Sequence, residues 1–210
     1  DGSIRCWDLV SGKSVWVKLA HNRPVSCLSL DPFRKDLLSG SFDESVQCWD
    51  TLKPGSNFRW RSEGHSDGVT CVAVSQRRGV VVTGSADFTL RCWKVRNGEH
   101  RWTAFAHQSI VSCVVVDDRR DVVLSGSGDK TVRTWSLEAG HATGNTIVAD
   151  GAVISIEVDA LHVYVQTGST VGVYENRANR VQFVVDPYMS PMTCMALIQD
   201  AAGSPSLMYL

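Results

Sequence analysis

Leu37-Leu38-Ser39-Gly40-Ser41-Phe42-Asp43-Glu44-Ser45-Val46-Gln47-Cys48-Trp49-Asp50 holds two short apolar runs with a polar reversal between them. Leu37 to Ser39 reads as the end of one strand, and Val46 to Trp49, with side chains alternating at period two, reads as the next. Ser41-Phe42-Asp43-Glu44 supplies the residue types that favour a tight turn. The same pattern returns at Val82 to Lys94 and at Leu124 to Ser136, and its tail opens the chain as Asp1-Gly2-Ser3-Ile4-Arg5-Cys6-Trp7-Asp8.

The intervals inside this pattern are fixed. Trp7, Trp49, Trp93 and Trp135 are separated by 42, 44 and 42 residues, and His21, His65 and His107 by 44 and 42. Each His lies 22 residues before an Asp (Asp43, Asp87, Asp129), and each Asp, Asp1 included, lies six before a Trp. Self-similarity of this period marks a repeat architecture. Four short strands per unit, each following its predecessor, with no segment of helical period, predict an all-β chain.

A period of 40–45 residues with an early His and a Trp-Asp-like ending resembles the WD-repeat β-propeller family. The resemblance is strong over 1–136 and degenerate over 137–210. It implies radial, four-stranded antiparallel blades. The whole of 1–210 is then one propeller segment, incomplete, with about four whole blades and partial blades at both ends. Inner, second, third and outer strands are expected at Val25–Leu30, Asp36–Ser41, Ser45–Asp50 and 57–61 in the first blade. In the second they fall at Val69–Val74, Val80–Ser85, Thr89–Lys94 and His100–Phe105. Ile110–Val116, Val122–Ser127, Thr131–Ser136 and Asn145–Ala149 make the third, and Val153–Val158, His162–Thr167, Thr170–Glu175 and Val181–Val185 the fourth. Met192–Ile198 and Leu207–Leu210 make a last partial unit. Because the chain opens and stops inside a repeat, it is expected to be a piece of a longer propeller.

His, Ser or Thr, and Asp are the residue types of a hydrolase triad. Here they occur three times at the same spacing, whereas an enzyme needs one activated nucleophile. The resemblance implies a structural hydrogen-bond tetrad instead. Its members would be His21, Ser39, Asp43 and Trp49; His65, Thr83, Asp87 and Trp93; and His107, Ser125, Asp129 and Trp135. In the fourth unit Ala149 stands for the His, Gly168 near the Asp and Tyr174 for the Trp, so stability there would come from strand packing alone.

The seven cysteines fall in repeat slots on predicted strands. No Cys-x-x-Cys pair appears, so reduced, buried thiols are expected rather than disulfides or zinc. No metal, cofactor, small-molecule substrate or catalytic residue is expected. The net charge is −1, and no apolar run nears the ~20 residues that span a bilayer, so no membrane partner is expected. The free thiols and the resemblance imply an intracellular protein, cytoplasmic or nuclear.

Binding is expected on loops held by the repeat frame. The residues after each His (Asn22, Arg23, Ser66, Asp67, Gln108, Ser109) and before each Asp (Phe42, Ala86, Gly128) differ between units while the frame does not. Arg23 and Phe42 are the best anchors for a protein or peptide. Arg34-Lys35, Arg77-Arg78 and Arg119-Arg120, in the opposite turns, could serve an acidic or nucleic-acid partner. Trp16, Trp60 and Trp102, each five residues before a repeat His, either pack neighbouring blades or form an aromatic docking row. The function implied is a non-catalytic interaction scaffold, one form of which is substrate recognition for a ubiquitin ligase. RNA or ribonucleoprotein binding through the basic turns is the alternative.

Overall fold

The computed structural model describes residues 1–51, 57–168, 170–175, 181–185, 195–199 and 205–209. Its strands are β1 (Ser3–Trp7), β2 (Ser14–Leu19), β3 (Val25–Asp31), β4 (Asp36–Ser41), β5 (Ser45–Asp50), β6 (Asn57–Glu63), β7 (Val69–Ser75), β8 (Val80–Ser85), β9 (Thr89–Lys94) and β10 (His100–Phe105). They continue as β11 (Val111–Asp117), β12 (Val122–Ser127), β13 (Thr131–Ser136), β14 (Ala142–Val148), β15 (Ser155–Val158), β16 (His162–Gln166), β17 (Val171–Glu175), β18 (Val181–Val185), β19 (Met195–Gln199) and β20 (Pro205–Tyr209). Among the described residues there is no helix.

Two compact units divide the chain, Asp1–Phe105 and Ala106–Leu210. The first contains the pair β1-β2 and the four-stranded sheets β3-β4-β5-β6 and β7-β8-β9-β10. The second contains β11-β12-β13-β14, β15-β16-β17-β18 and the pair β19-β20. Every pairing is antiparallel between chain neighbours, so each sheet is an up-and-down meander.

The alternation in the sequence places the core. Leu38, Val46, Cys48 and Trp60 share one buried cluster with Val69, Val81, Trp93 and Val95 of the next sheet. In the second unit Leu124, Val132 and Ile147 do the same with Val153, Ile156, Val163 and Val165. Close approach of the sheets needs glycine. A Cβ on Gly40 would stand 2.6 Å from the Val69 side chain and from Cys27 Sγ, and one on Gly126 2.5 Å from Val153. A register shift recurs between Val25 and Cys27, Val69 and Cys71, and Val111 and Cys113. The residue skipped there carries a hydroxyl: Ser26 lies within hydrogen-bonding reach of the Gly40 and Val69 carbonyls, and Ser112 of the Gly126 and Val153 carbonyls. A bulge thus turns a polar side chain into a bridge between sheets.

Strand bounds differ from the sequence expectation by a residue or two in the first three sheets, except that β14 begins three residues earlier, at Ala142. In the fourth sheet Val153 and Ile154 precede β15: Val153 bonds to the preceding sheet, its N–H to the Ser127 carbonyl and its carbonyl within reach of Ser112, while Ile154 N donates to the Gln166 carbonyl of β16. The expected starts at Met192 and end at Leu210 lie outside the described residues.

Candidate functional site

The loop entering each inner strand brings a His beside the turn between the second and third strands. His21 Nδ1 lies 3.0 Å from Asp43 Oδ2, and its Nε2 2.8 Å from Ser39 Oγ, which accepts Trp49 Nε1–H at 3.1 Å. His65 stands 2.9 Å from Asp87 and 2.8 Å from Thr83, to which Trp93 donates at 3.0 Å. His107 stands 2.9 Å from Asp129 and 2.8 Å from Ser125, to which Trp135 donates at 2.9 Å. A neutral imidazole satisfies all three chains: indole N–H to hydroxyl oxygen, hydroxyl O–H to Nε2, and Nδ1–H to carboxylate. Ser41 is used differently, its Oγ bonding to the Arg23 and Pro24 carbonyls and accepting Asp43 N–H.

Sequence reasoning missed the residue two beyond each Asp. Ser45, Thr89 and Thr131 donate from their hydroxyls to the carboxylate at 2.5, 2.7 and 2.6 Å, and from their backbone N–H groups as well. The N–H of the residue after each His completes the set. A hydroxyl at this offset in all three repeats was the available signal.

These contacts fix the protonation states. Burial opposes ionisation of Asp129, but hydrogen bonds from Thr131, the Gln108 N–H and His107 outweigh it and bring the carboxyl down to about 2. Asp43 and Asp87 are likewise held below the usual carboxylate range. Burial pushes the His21 and His107 imidazoles below 6.5, against the pull of their aspartates. As pH falls, the unfolded chain therefore takes up imidazole protons first, and stability drops from about pH 6.5 downward. The carboxylate contribution, complete above the unfolded pKa of about 3.9, is then lost towards pH 2. The urea midpoint should fall between pH 7.5 and 5.5 and fall further by pH 3; a midpoint that rises over the first interval contradicts this charge assignment.

The same burial rules out substrate access. Ser39, Thr83 and Ser125 are fully buried, and each hydroxyl is held between an imidazole and an indole. A nucleophile must face its substrate, and these three cannot. The described residues hold no cluster of three or more metal-ligating side chains. Cys48, Cys71 and Cys92 are buried, and Cys6, Cys27 and Cys113 half-buried, all as free thiols. Burial pushes Cys27 up to about 11 and Cys48, Cys92 and Cys113 up to about 12, so none of these four is a thiolate at neutral pH. Cys194 lies outside the described residues.

The variable loop residues lie above this frame. In the first unit Asn22, Arg23, Ser66 and Asp67 are exposed, Ala86 half-buried, and Phe42 44% exposed. Arg23 Nη1 donates to the Phe42 carbonyl at 3.1 Å, and the Phe42 ring lies so close over Gly68 that a Cβ there would meet it at 2.6 Å. Phe88, 43% exposed at φ 68°, is a second aromatic residue on these turns that sequence reasoning passed over. A left-handed aromatic residue is uncommon. In the second unit Gln108 and Gly128 are exposed and Ser109 half-buried.

At the opposite ends of the strands Arg34, Lys35, Arg77, Arg78 and Arg119 are exposed. Arg120 is not: its guanidinium is committed to Asp117 at 2.5 Å and to the Ala160 carbonyl at 2.6 Å. Six outward cations are therefore not available. Trp60 is buried, with its Nε1–H on the Val95 carbonyl at 2.7 Å, and Trp102 is buried too, while Trp16 is half-buried.

The fourth sheet departs from expectation. Thr131 pairs with Val148, and Ala149 N–H donates to the Lys130 carbonyl just as Ala20 N–H donates to the Gly2 carbonyl. On the outer ladder the His position is thus filled by Asp150, not Ala149. Asp150 Oδ2 accepts Thr170 Oγ1–H at 2.9 Å, and Thr170 Oγ1 lies 2.8 Å from Thr167 Oγ1. A short polar chain therefore supplements strand packing, which the sequence reading took to act alone.

Comparison with known proteins agrees with this architecture. The family described as WD domain, G-beta repeat matches residues 12–50, 57–94 and 98–136, more than half of the chain. The chain belongs to the WD-repeat family. Each matched segment holds the outer strand of one sheet and the first three of the next, so successive sheets are stitched together by the repeat itself. A stretch of 53 residues is 36% identical to the CCR4-associated factor 4 homolog of Vanderwaltozyma polyspora, covering 25% of this chain and 8% of that protein. WD repeats generally serve as protein-interaction scaffolds.

Proposed function

We propose that this chain is a non-catalytic scaffold that binds a protein or peptide partner on the loops above the His–Asp frame. The observation that carries the reading is the Arg23–Phe42 pair. The Phe42 ring is held half-exposed against Gly68, beside Arg23, whose guanidinium donates to the Phe42 carbonyl, over a buried and fully bonded base. Rigid aromatic and arginine anchors dominate binding energy because little entropy is lost when a partner docks. Substrate recognition for a ubiquitin ligase is the specific form we propose, since it requires this kind of peptide-reading face and no chemistry of its own.

Arg23→Ala combined with Phe42→Ala should weaken partner capture at least ~30-fold, the worth of one hot-spot residue of about 2 kcal/mol. The thermal midpoint should stay nearly unchanged, because both side chains are exposed. An undiminished set of captured partners contradicts the proposal. Capture that collapses between 50 and 200 mM salt would instead place binding on the basic turns, as for a phosphate backbone.

A further inference from the structure

The fourth sheet has the acceptors of an arginine but not the arginine. In the third sheet Arg133 fills the space beside the His. Its Nη1 donates to the Ala106 carbonyl at 3.1 Å, its Nε to Thr131 Oγ1 at 3.3 Å, and its Nη2 lies 3.9 Å from Asp129. Gln47 does the same in the first sheet, with Nε2 on the Ala20 carbonyl at 2.7 Å.

The ladders identify the counterparts. Gly126 pairs with Val132 and Gln166 with Val171, so Gly172 takes the place of Arg133 and Thr170 that of Thr131. Ala149 stands where Ala106 stands, Asp150 replaces His107, Val165 replaces Ser125, and Tyr174 replaces Trp135. Two large side chains, an imidazole and a guanidinium with its stem, have become a carboxylate and a hydrogen atom. Glycine is required at 172, since a Cβ there would meet the Tyr174 ring at 2.6 Å.

The Tyr174 ring takes part of the vacated space, and beside it an open cavity of about 180 Å³ remains, lined by Val148, Ala149, Asp150, Val165, Thr167, Thr170, Gly172 and Tyr174. A cavity of about 150 Å³ accepts benzene, so a planar guanidinium and part of its stem fit. Among the described residues, no Lys or Arg lines the cavity and no ion pair to Asp150 occurs. Oδ2 of Asp150 is bonded to Thr170, which orients the carboxylate. Burial and the Asp150 charge together push the Tyr174 phenol up, as expected for a carboxylate facing the ring. An aromatic wall with a fixed carboxylate and a hydroxyl beside it suits a planar, weakly hydrated guanidinium, which stacks on rings and donates in several directions, better than a compact, strongly hydrated ammonium.

We propose that this cavity is a binding site for the arginine side chain of a partner peptide, which supplies from outside the guanidinium that Gly172 omits. The site lies in the fourth sheet and does not depend on the Arg23–Phe42 face.

Its test needs no partner protein. The 210-residue chain is titrated with N-acetyl-arginine amide and, separately, with N-acetyl-lysine amide, following backbone amide NMR shifts. The arginine probe should move the Ala149, Asp150, Thr170 and Gly172 amides saturably, and the lysine probe should bind at least tenfold more weakly. Asp150→Asn, at an exposed position and able to keep the Thr170 hydrogen bond, should weaken the arginine probe at least tenfold with the rest of the spectrum unchanged. Thr170→Val should weaken it by a smaller factor. Shifts that never saturate, equal binding of the two probes, or undiminished binding by Asp150→Asn would each overturn the proposal.

Discussion

Trp60→Ala should lower the stability of the chain by roughly 3–5 kcal/mol, the range for deleting a buried aromatic side chain. Trp60 sits on the outer strand of its sheet, where a docking residue would be exposed, yet only 7% of it is accessible. Its indole N–H is spent on the Val95 carbonyl of the next sheet at 2.7 Å. Its ring lies against Gly98, where a Cβ would stand 2.7 Å from Cε3. The substitution removes apolar burial, opens a void between two sheets and leaves a buried carbonyl unpaired. Urea unfolding would show the midpoint falling steeply. A docking residue would behave the other way: the midpoint would hold and partner capture would fail.

Asp87→Ala should cost about 3 kcal/mol, although it removes only a small side chain. Asp87 accepts His65 Nδ1–H at 2.9 Å, Ser66 N–H at 3.0 Å, Thr89 N–H at 2.9 Å and Thr89 Oγ1–H at 2.7 Å. Losing the carboxylate strands a buried imidazole N–H and frees the turn that it closes. The cost of stranded partners exceeds the net worth of any one bond. Asp87→Asn keeps an acceptor oxygen and should cost less. Glu44→Ala, at an exposed turn position of the preceding sheet, should stay within about 0.5 kcal/mol. Equal midpoints for Asp87→Ala and Glu44→Ala would show that the carboxylate carries no structural weight.

The strands were legible because the offsets among His, Asp and Trp are rigid while the loops between units absorb every length change. Apolar alternation then placed each strand of the first three sheets within a residue or two, β14 apart. The His, hydroxyl, Asp and Trp that meet in space could be named from spacing and resemblance. Ser45, Thr89 and Thr131 were not, because turn hydroxyls are so common that their offset carried no weight until distances gave it some. Asp150 was hidden for another reason. The stretch from Trp135 to Asp150 is one residue longer than that from Trp93 to His107, so adding the 42-residue period to His107 lands on Ala149 while the ladder lands on Asp150. Arg120 shows the limit of reading charge from sequence: a cation in a turn is a surface feature only until a nearby carboxylate and carbonyl claim it. Exposure of Phe88 depends on a left-handed turn conformation that its residue type argues against.

The measurement that bears most directly on the His–Asp frame is a double-mutant cycle on His65 and Asp87, read by urea unfolding of His65→Ala, Asp87→Ala and the pair. If the two residues act as one buried strut, the losses should fall short of additivity by about 1–3 kcal/mol, the coupling expected of directly bonded neighbours. Additive losses would mean that the 2.9 Å contact holds nothing together, and the frame on which the binding loops are proposed to stand would go with it.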